Sequence, residues 1–204
     1  HRSPQSSAIL AIRSEFLRGV RNALYDQGFK EVTSPRLLGS LFEGGPTSLT
    51  LDFFGQRAAL SVSSILVHGM LLSGDLWRVF EVGPVFYGTK SKTSHNLSEF
   101  SVIEWSAAFY ELDELMDSTE ALLEAVVGHL ASTCASELGL LSIDLPDIKR
   151  PFPRIAFRDV VDALREQGHT VENRNARSIL DDAISFFQAT YKSFFWVLYQ
   201  PAPG

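Results

Sequence analysis

The stretch Arg78–Phe109, RVFEVGPVFYGTKSKTSHNLSEFSVIEWSAAF, carries the reading of the fold. Val79–Phe86 is rich in β-branched and aromatic residues, interrupted by Gly83-Pro84, and Phe100–Ile103 is a second apolar run, so two strands are expected. Between them, Tyr87 to Glu99 holds Gly, Thr, Ser, Lys and Asn without apolar periodicity, which predicts a long connection. A connection of that length in a compact domain is more often functional than accidental.

Upstream, Ile9, Ile12, Phe16, Val20 and Leu24 recur at helical spacing within Ala8–Gln27, and the pattern stops at Gly28. Phe29–Leu38, Ser48–Phe54 and Arg57–Val62 read as strands, with a hairpin at Asp52–Gln56, and Ile65–Leu72 reads as a helix. Downstream, a stripe of Leu112, Leu115, Met116, Leu122, Leu123, Val126, Val127 and Leu130 predicts a helix reaching Leu138. Leu145–Pro153 is a proline-punctuated linker, followed by a strand at Ile155–Phe157 and helices at Asp159–Gln167 and Asn175–Thr190. A last strand is expected at Phe194–Tyr199. With no alternating βαβ units and no Gly-rich phosphate loop, the order predicts an α+β fold, a mainly antiparallel sheet flanked by helices.

With 204 residues and 45% hydrophobic content, residues 1–204 are expected to form one domain, of which 1–7 read as a tag-derived or flexible end. A net charge of −6 disfavours the broad basic surface that nucleic acid selects, tRNA included. Cys134 is the single cysteine, so an intrachain disulfide and a thiolate metal cluster are excluded, and a reducing, cytoplasmic setting is the default. No apolar run approaches the ~20 residues that span a bilayer, and the N-terminus lacks a signal-peptide pattern.

At Gly83-Pro84-Val85-Phe86-Tyr87-Gly88-Thr89, the loop, and Asn96-Leu97-Ser98-Glu99-Phe100 with Glu104 following, the chain resembles the second signature motif of the class II aminoacyl-tRNA synthetases. Within them it is most similar to the aspartyl, asparaginyl and lysyl subgroup and its ligase relatives. Gly28–Pro35 resembles the first motif, which implies a homodimer built through that region. Glu43-Gly44-Gly45 and Leu60–Leu66 resemble the amino-acid-binding segments, and Glu111–Met116 the start of the next helix. The resemblance implies the synthetase-like antiparallel core.

It also exposes substitutions. The family's α-phosphate arginine is Tyr87 here and the neighbouring glutamate is Thr89. A phenol with a reference pKa near ~10 cannot replace a fixed, bidentate guanidinium. The loop-end histidine is Asn96, with His95 before it, and Lys90 and Lys92 are left as solvated charges or anion contacts. The resemblance makes Glu43 the carboxylate for a substrate ammonium and Phe100 the residue that stacks on adenine. It places Glu99 and Glu104 in register with family positions. Ser63-Ser64-Ile65 replaces the subgroup's Ser-Pro-Gln, and His68 stands where aspartate-specific members carry lysine. The third motif lies beyond Gly204 or is absent. Asp181-Asp182 reads as a helix surface, not a metal site, because adjacent residues do not share a helix face.

Losing preorganised phosphate donors costs about 3–4 kcal/mol apiece, so aminoacylation of tRNA is disfavoured. The expected function is a degenerate paralogue that binds an amino-acid-like small molecule or regulates a partner, with ATP and Mg²⁺ disfavoured and no metal site. The alternative is a repurposed small-molecule enzyme of amide-forming or other amino-acid chemistry. Its candidate catalytic groups are Tyr87, His95 and Glu99, and its binding groups Glu43, Ser63, Ser64, His68, Phe100 and Glu104. A third reading makes the chain one fragment of a split ligase.

Overall fold

Ser3-Pro4 starts the first helix for a local reason: Ser3 Oγ accepts from the Ser6 amide at 3.2 Å, and Pro4 fills the first helical position, where an N–H would lack a partner. The helix ends at Gly28, whose φ of 80° only glycine adopts easily. The Gly28 amide donates to Tyr25 O at 2.9 Å and the Phe29 amide to Leu24 O at 3.0 Å, a Schellman closure.

The computed structural model describes residues 3–39, 48–88, 97–171 and 176–200. In chain order the elements are α1 (Pro4–Asp26), β1 (Lys30–Glu31), β2 (Leu37–Leu38), β3 (Thr50–Phe53), β4 (Gln56–Leu60), α2 (Ile65–Leu72), β5 (Arg78–Phe86) and β6 (Glu99–Ala107). They continue with α3 (Leu112–Thr133), α4 (Ala135–Leu141), β7 (Arg154–Ala156), α5 (Phe157–Glu166), α6 (Ala176–Tyr191) and β8 (Trp196–Leu198). The chain divides into two compact units, one of Arg21–Leu115 and one of His1–Val20 with Met116–Gly204.

The Arg21–Leu115 unit holds two three-stranded sheets, ordered β1-β5-β6 and β2-β4-β3. β1 runs parallel to β5, while β5 and β6 pair antiparallel from Arg78↔Ala107 to Phe86↔Glu99. Val79, Phe80 and Val85 are buried on this pair. β3 and β4 form the expected hairpin: Phe54 and Gly55 both have positive φ, at 54° and 78°, as a two-residue type I′ turn requires.

In the other unit, β7 and β8 pair in parallel and carry α5 and α6. Val160, Leu164, Ile179, Ala183 and Phe187 form its buried centre. The Trp196 indole N–H donates to the buried Glu120 carboxylate at 2.8 Å, and His129 Nε2 lies 2.9 Å from Glu15.

The α+β class holds, with the antiparallel pairing supplemented by two parallel pairs. Two local expectations change. Phe29–Leu38 is two short strands, because Pro35 has no amide and the Ser34 amide turns to the Glu81 carboxylate. The helix expected to reach Leu138 breaks at Cys134, whose φ and ψ are −121° and 21°. Just before it, the hydroxyls of Ser132 and Thr133 both donate to His129 O and compete with the helical bonds.

Candidate functional site

Alternation along β5 and β6 sorts the hairpin residues into two faces. The register places Val79, Glu81, Gly83 and Val85 with Ser106, Glu104, Val102 and Phe100 on one face. Tyr87 continues that series, its amide donating to Ser98 O at 2.8 Å. Glu99 pairs with Phe86 on the opposite face. Tyr87 and Phe100, both about 40% exposed (41% and 40%), therefore offer aromatic surface from one side of the hairpin.

A polar network covers the same face. The Glu104 carboxylate accepts from the Ser63 hydroxyl, from the Ser64 amide at 2.7 Å and from the Ser64 hydroxyl at 2.7 Å. Burial pushes this carboxyl up, but the three hydrogen bonds and the nearby His68 charge outweigh it and hold Glu104 below its ordinary value. His68, buried on α2, places Nδ1 3.0 Å from Ser106 Oγ. Beside them, the Glu81 carboxylate accepts from the Ser34 amide at 3.1 Å, from the Ser34 hydroxyl at 2.7 Å and from the Arg36 guanidinium. Arg36 Nη1 also lies 3.4 Å from Ser64 Oγ, which joins the two carboxylate clusters.

The segment that carries Ser63 and Ser64 is tied down at Ser61 through both its amide and its carbonyl. The Ser61 amide donates to Arg36 O at 2.9 Å, and Ser61 O accepts from the Phe86 amide at 3.0 Å. Ser61 Oγ bonds Ser63 O at 2.6 Å, so the turn into α2 is preset by its own serines.

Of the residues singled out from sequence, Ser63, Ser64, His68 and Glu104 come together, and Tyr87 and Phe100 lie on the same hairpin face. Glu99 is parted from them by the register. Glu43 and His95, with Thr89, Lys90, Lys92 and Asn96, lie outside the described residues. Four members escaped sequence reasoning: Ser34, Arg36, Glu81 and Ser106. The one available signal was Glu81 itself, a carboxylate within the apolar run Val79-Phe80-Glu81-Val82 that must find a counter-charge when buried.

In this network two carboxylates face one guanidinium and one imidazole. Ser34, Ser64, His68 and Glu81 are buried within it, while Tyr87 and Phe100 keep aromatic surface exposed on the same hairpin face. Among the described residues no group of three His, Cys, Asp or Glu side chains is placed to hold a metal ion.

The sequence profile of the class II tRNA synthetases (D, K and N) matches residues 1–203. The aspartate–tRNA(Asp) ligase of Pyrococcus abyssi is 33% identical over 171 residues, 83% of this chain and 39% of that protein. The aspartate–tRNA(Asp/Asn) ligase of Methanopyrus kandleri is also 33% identical, over 84% of this chain and 40% of that protein. The structure of Pyrococcus horikoshii asparaginyl-tRNA synthetase complexed with asparaginyl-adenylate superposes with a TM-score of 0.88 at 29% identity. It covers 98% of this chain and 46% of that one. The chain thus spans about two-fifths of the length of these curated relatives.

Proposed function

This chain belongs to the class II tRNA synthetases (D, K and N), and on that premise we propose that it binds an amino-acid-like small molecule without adenylating it. The observation that carries the reading is Tyr87. It stands where the resemblance puts the arginine for the α-phosphate of ATP, half-exposed on the face that also holds Phe100. A neutral phenol supplies neither charge nor a bidentate fork to a phosphate. Arg36, the guanidinium of the neighbouring network, is already committed to Glu81. The organised turn at Ser63-Ser64 and its Glu104 anchor support retention of the amino-acid end of the site.

Binding of an amino-acid-like molecule, or regulation of a partner, is the output this reading expects. The same reading makes the chain a homodimer through Gly28–Pro35, with a light-scattering mass near twice 22.6 kDa. A net charge of −6 supports a function without tRNA.

Calorimetry tests the proposal on the 204-residue chain with L-asparagine, L-aspartate, L-lysine and ATP. The complex formed by the Pyrococcus horikoshii relative makes L-asparagine the first probe. An amino acid is expected to bind while ATP stays weaker than about 1 mM, and Tyr87→Arg is expected to tighten ATP about tenfold or more. Micromolar ATP affinity in the unaltered chain, or pyrophosphate release with any of the amino acids, would sink the reading.

A further inference from the structure

We infer that Arg36 is a positioning residue, acting on the ligand of this site through Ser64; the inference rests on the amino-acid-pocket reading above. Three observations converge on it. Arg36 is largely withdrawn from solvent, with 17% of its side chain exposed, so its orientation is set by partners. Those partners lie on different elements: Glu81 on β5, and Ser64 at the start of α2. The rigid guanidinium fork aims Nη1 at Ser64 and Nη2 at Glu81 at once, a spacing that the compact ammonium of a lysine, with its donors on one nitrogen, does not hold.

Proton accounting gives the direction of the effect. Ser64 has one hydroxyl proton and spends it on Glu104, so toward Arg36 it can only accept. Arg36 therefore fixes the rotamer that lets Ser64 hold Glu104. The third observation is Gly83: a Cβ built there would lie 2.8 Å from Arg36 Nη2, so β5 is bare where the guanidinium lies over it. The absence of a side chain at Gly83 leaves room for the guanidinium in the pose that reaches Glu81 and Ser64.

The variants are Arg36→Met, Arg36→Lys, Ser64→Ala and the Arg36→Met/Ser64→Ala pair. Without ligand, Arg36→Met is expected to speed amide exchange at Ser64 and His68 about tenfold, leaving the Phe86 amide unchanged. Arg36→Lys restores charge but does not rescue. With L-asparagine, Arg36→Met weakens binding about tenfold, and adding it to Ser64→Ala weakens binding no further.

Uniform acceleration of exchange, or additive losses in the pair, overturns the inference and leaves Arg36 a stabilising residue only. If the unaltered chain binds no L-asparagine, the pocket reading fails by itself, and the exchange measurement still decides the role of Arg36. If Arg36→Met does not fold because Glu81 is left buried without a counter-charge, Arg36→Met/Glu81→Gln removes both charges and carries the same measurements.

Discussion

Glu104 shows how one side chain couples the site to pH. Its carboxyl ionises below the ordinary value of 4.5, because the Ser63 and Ser64 donors and the His68 charge outweigh burial. A group whose folded pKa is depressed contributes stability that is fully present above its unfolded pKa and is lost as pH falls through the folded one. The melting temperature is therefore expected to fall steeply on acidification from pH 4.5 downward. Glu104→Gln should flatten that dependence while lowering stability at pH 7 by about 1–3 kcal/mol, since an amide nitrogen turned toward a donor leaves the donor unsatisfied. Parallel pH curves for parent and variant would contradict this. Gly83 makes a second residue-scale case. Gly83→Ala should cost about 1–3 kcal/mol, because its Cβ must displace a guanidinium pinned by Glu81. In an Arg36→Met background that cost should largely vanish, which chemical denaturation of the four proteins measures.

Among the elements, α1 tests how far local chemistry sets an end point. Gly28 holds φ at 80°, and a Cβ there would come within 3.3 Å of Arg78 Nη1, which itself donates to Gln27 O at 2.9 Å. Gly28→Ala should destabilise by about 1 kcal/mol or more through the left-handed backbone, and a larger loss would assign the excess to the displaced Arg78. This boundary was readable in advance, as were α2 and the β3–β4 turn, because each is written in residues adjacent along the chain. The same holds for the β5–β6 pair, whose apolar runs and polar connection without apolar periodicity are local signals. What could not be read depends on distance in sequence. The division of Phe29–Leu38 follows from Ser34 bonding Glu81, 47 residues on, and Arg36 meets the same carboxylate 45 residues away. No spacing rule connects such positions, so Ser63, Ser64, His68 and Glu104 were found by resemblance while Arg36 and Glu81 emerged only from geometry.

At the scale of the whole molecule, the issue is whether two compact units amount to two cooperative ones. Their boundaries fall at Val20/Arg21 and Leu115/Met116, inside α1 (Pro4–Asp26) and α3 (Leu112–Thr133). Breaking a helix at such a point exposes unpaired amides and carbonyls on both sides, so partial unfolding has no cheap stopping place. We therefore expect one transition for the chain. The tryptophans make this measurable: Trp77 and Trp105 report on the Arg21–Leu115 unit, and Trp196, bonded to Glu120, reports on the other. Phe187→Ala removes a buried aromatic from the centre formed with Val160, Leu164 and Ile179, at a cost of about 3–5 kcal/mol. Although that substitution lies wholly in one unit, urea midpoints read from variants retaining only Trp105 or only Trp196 should fall together and by the same amount. A midpoint that moves for Trp196 and stays for Trp105 would show that the boundary within α1 and α3 is a real break in cooperativity.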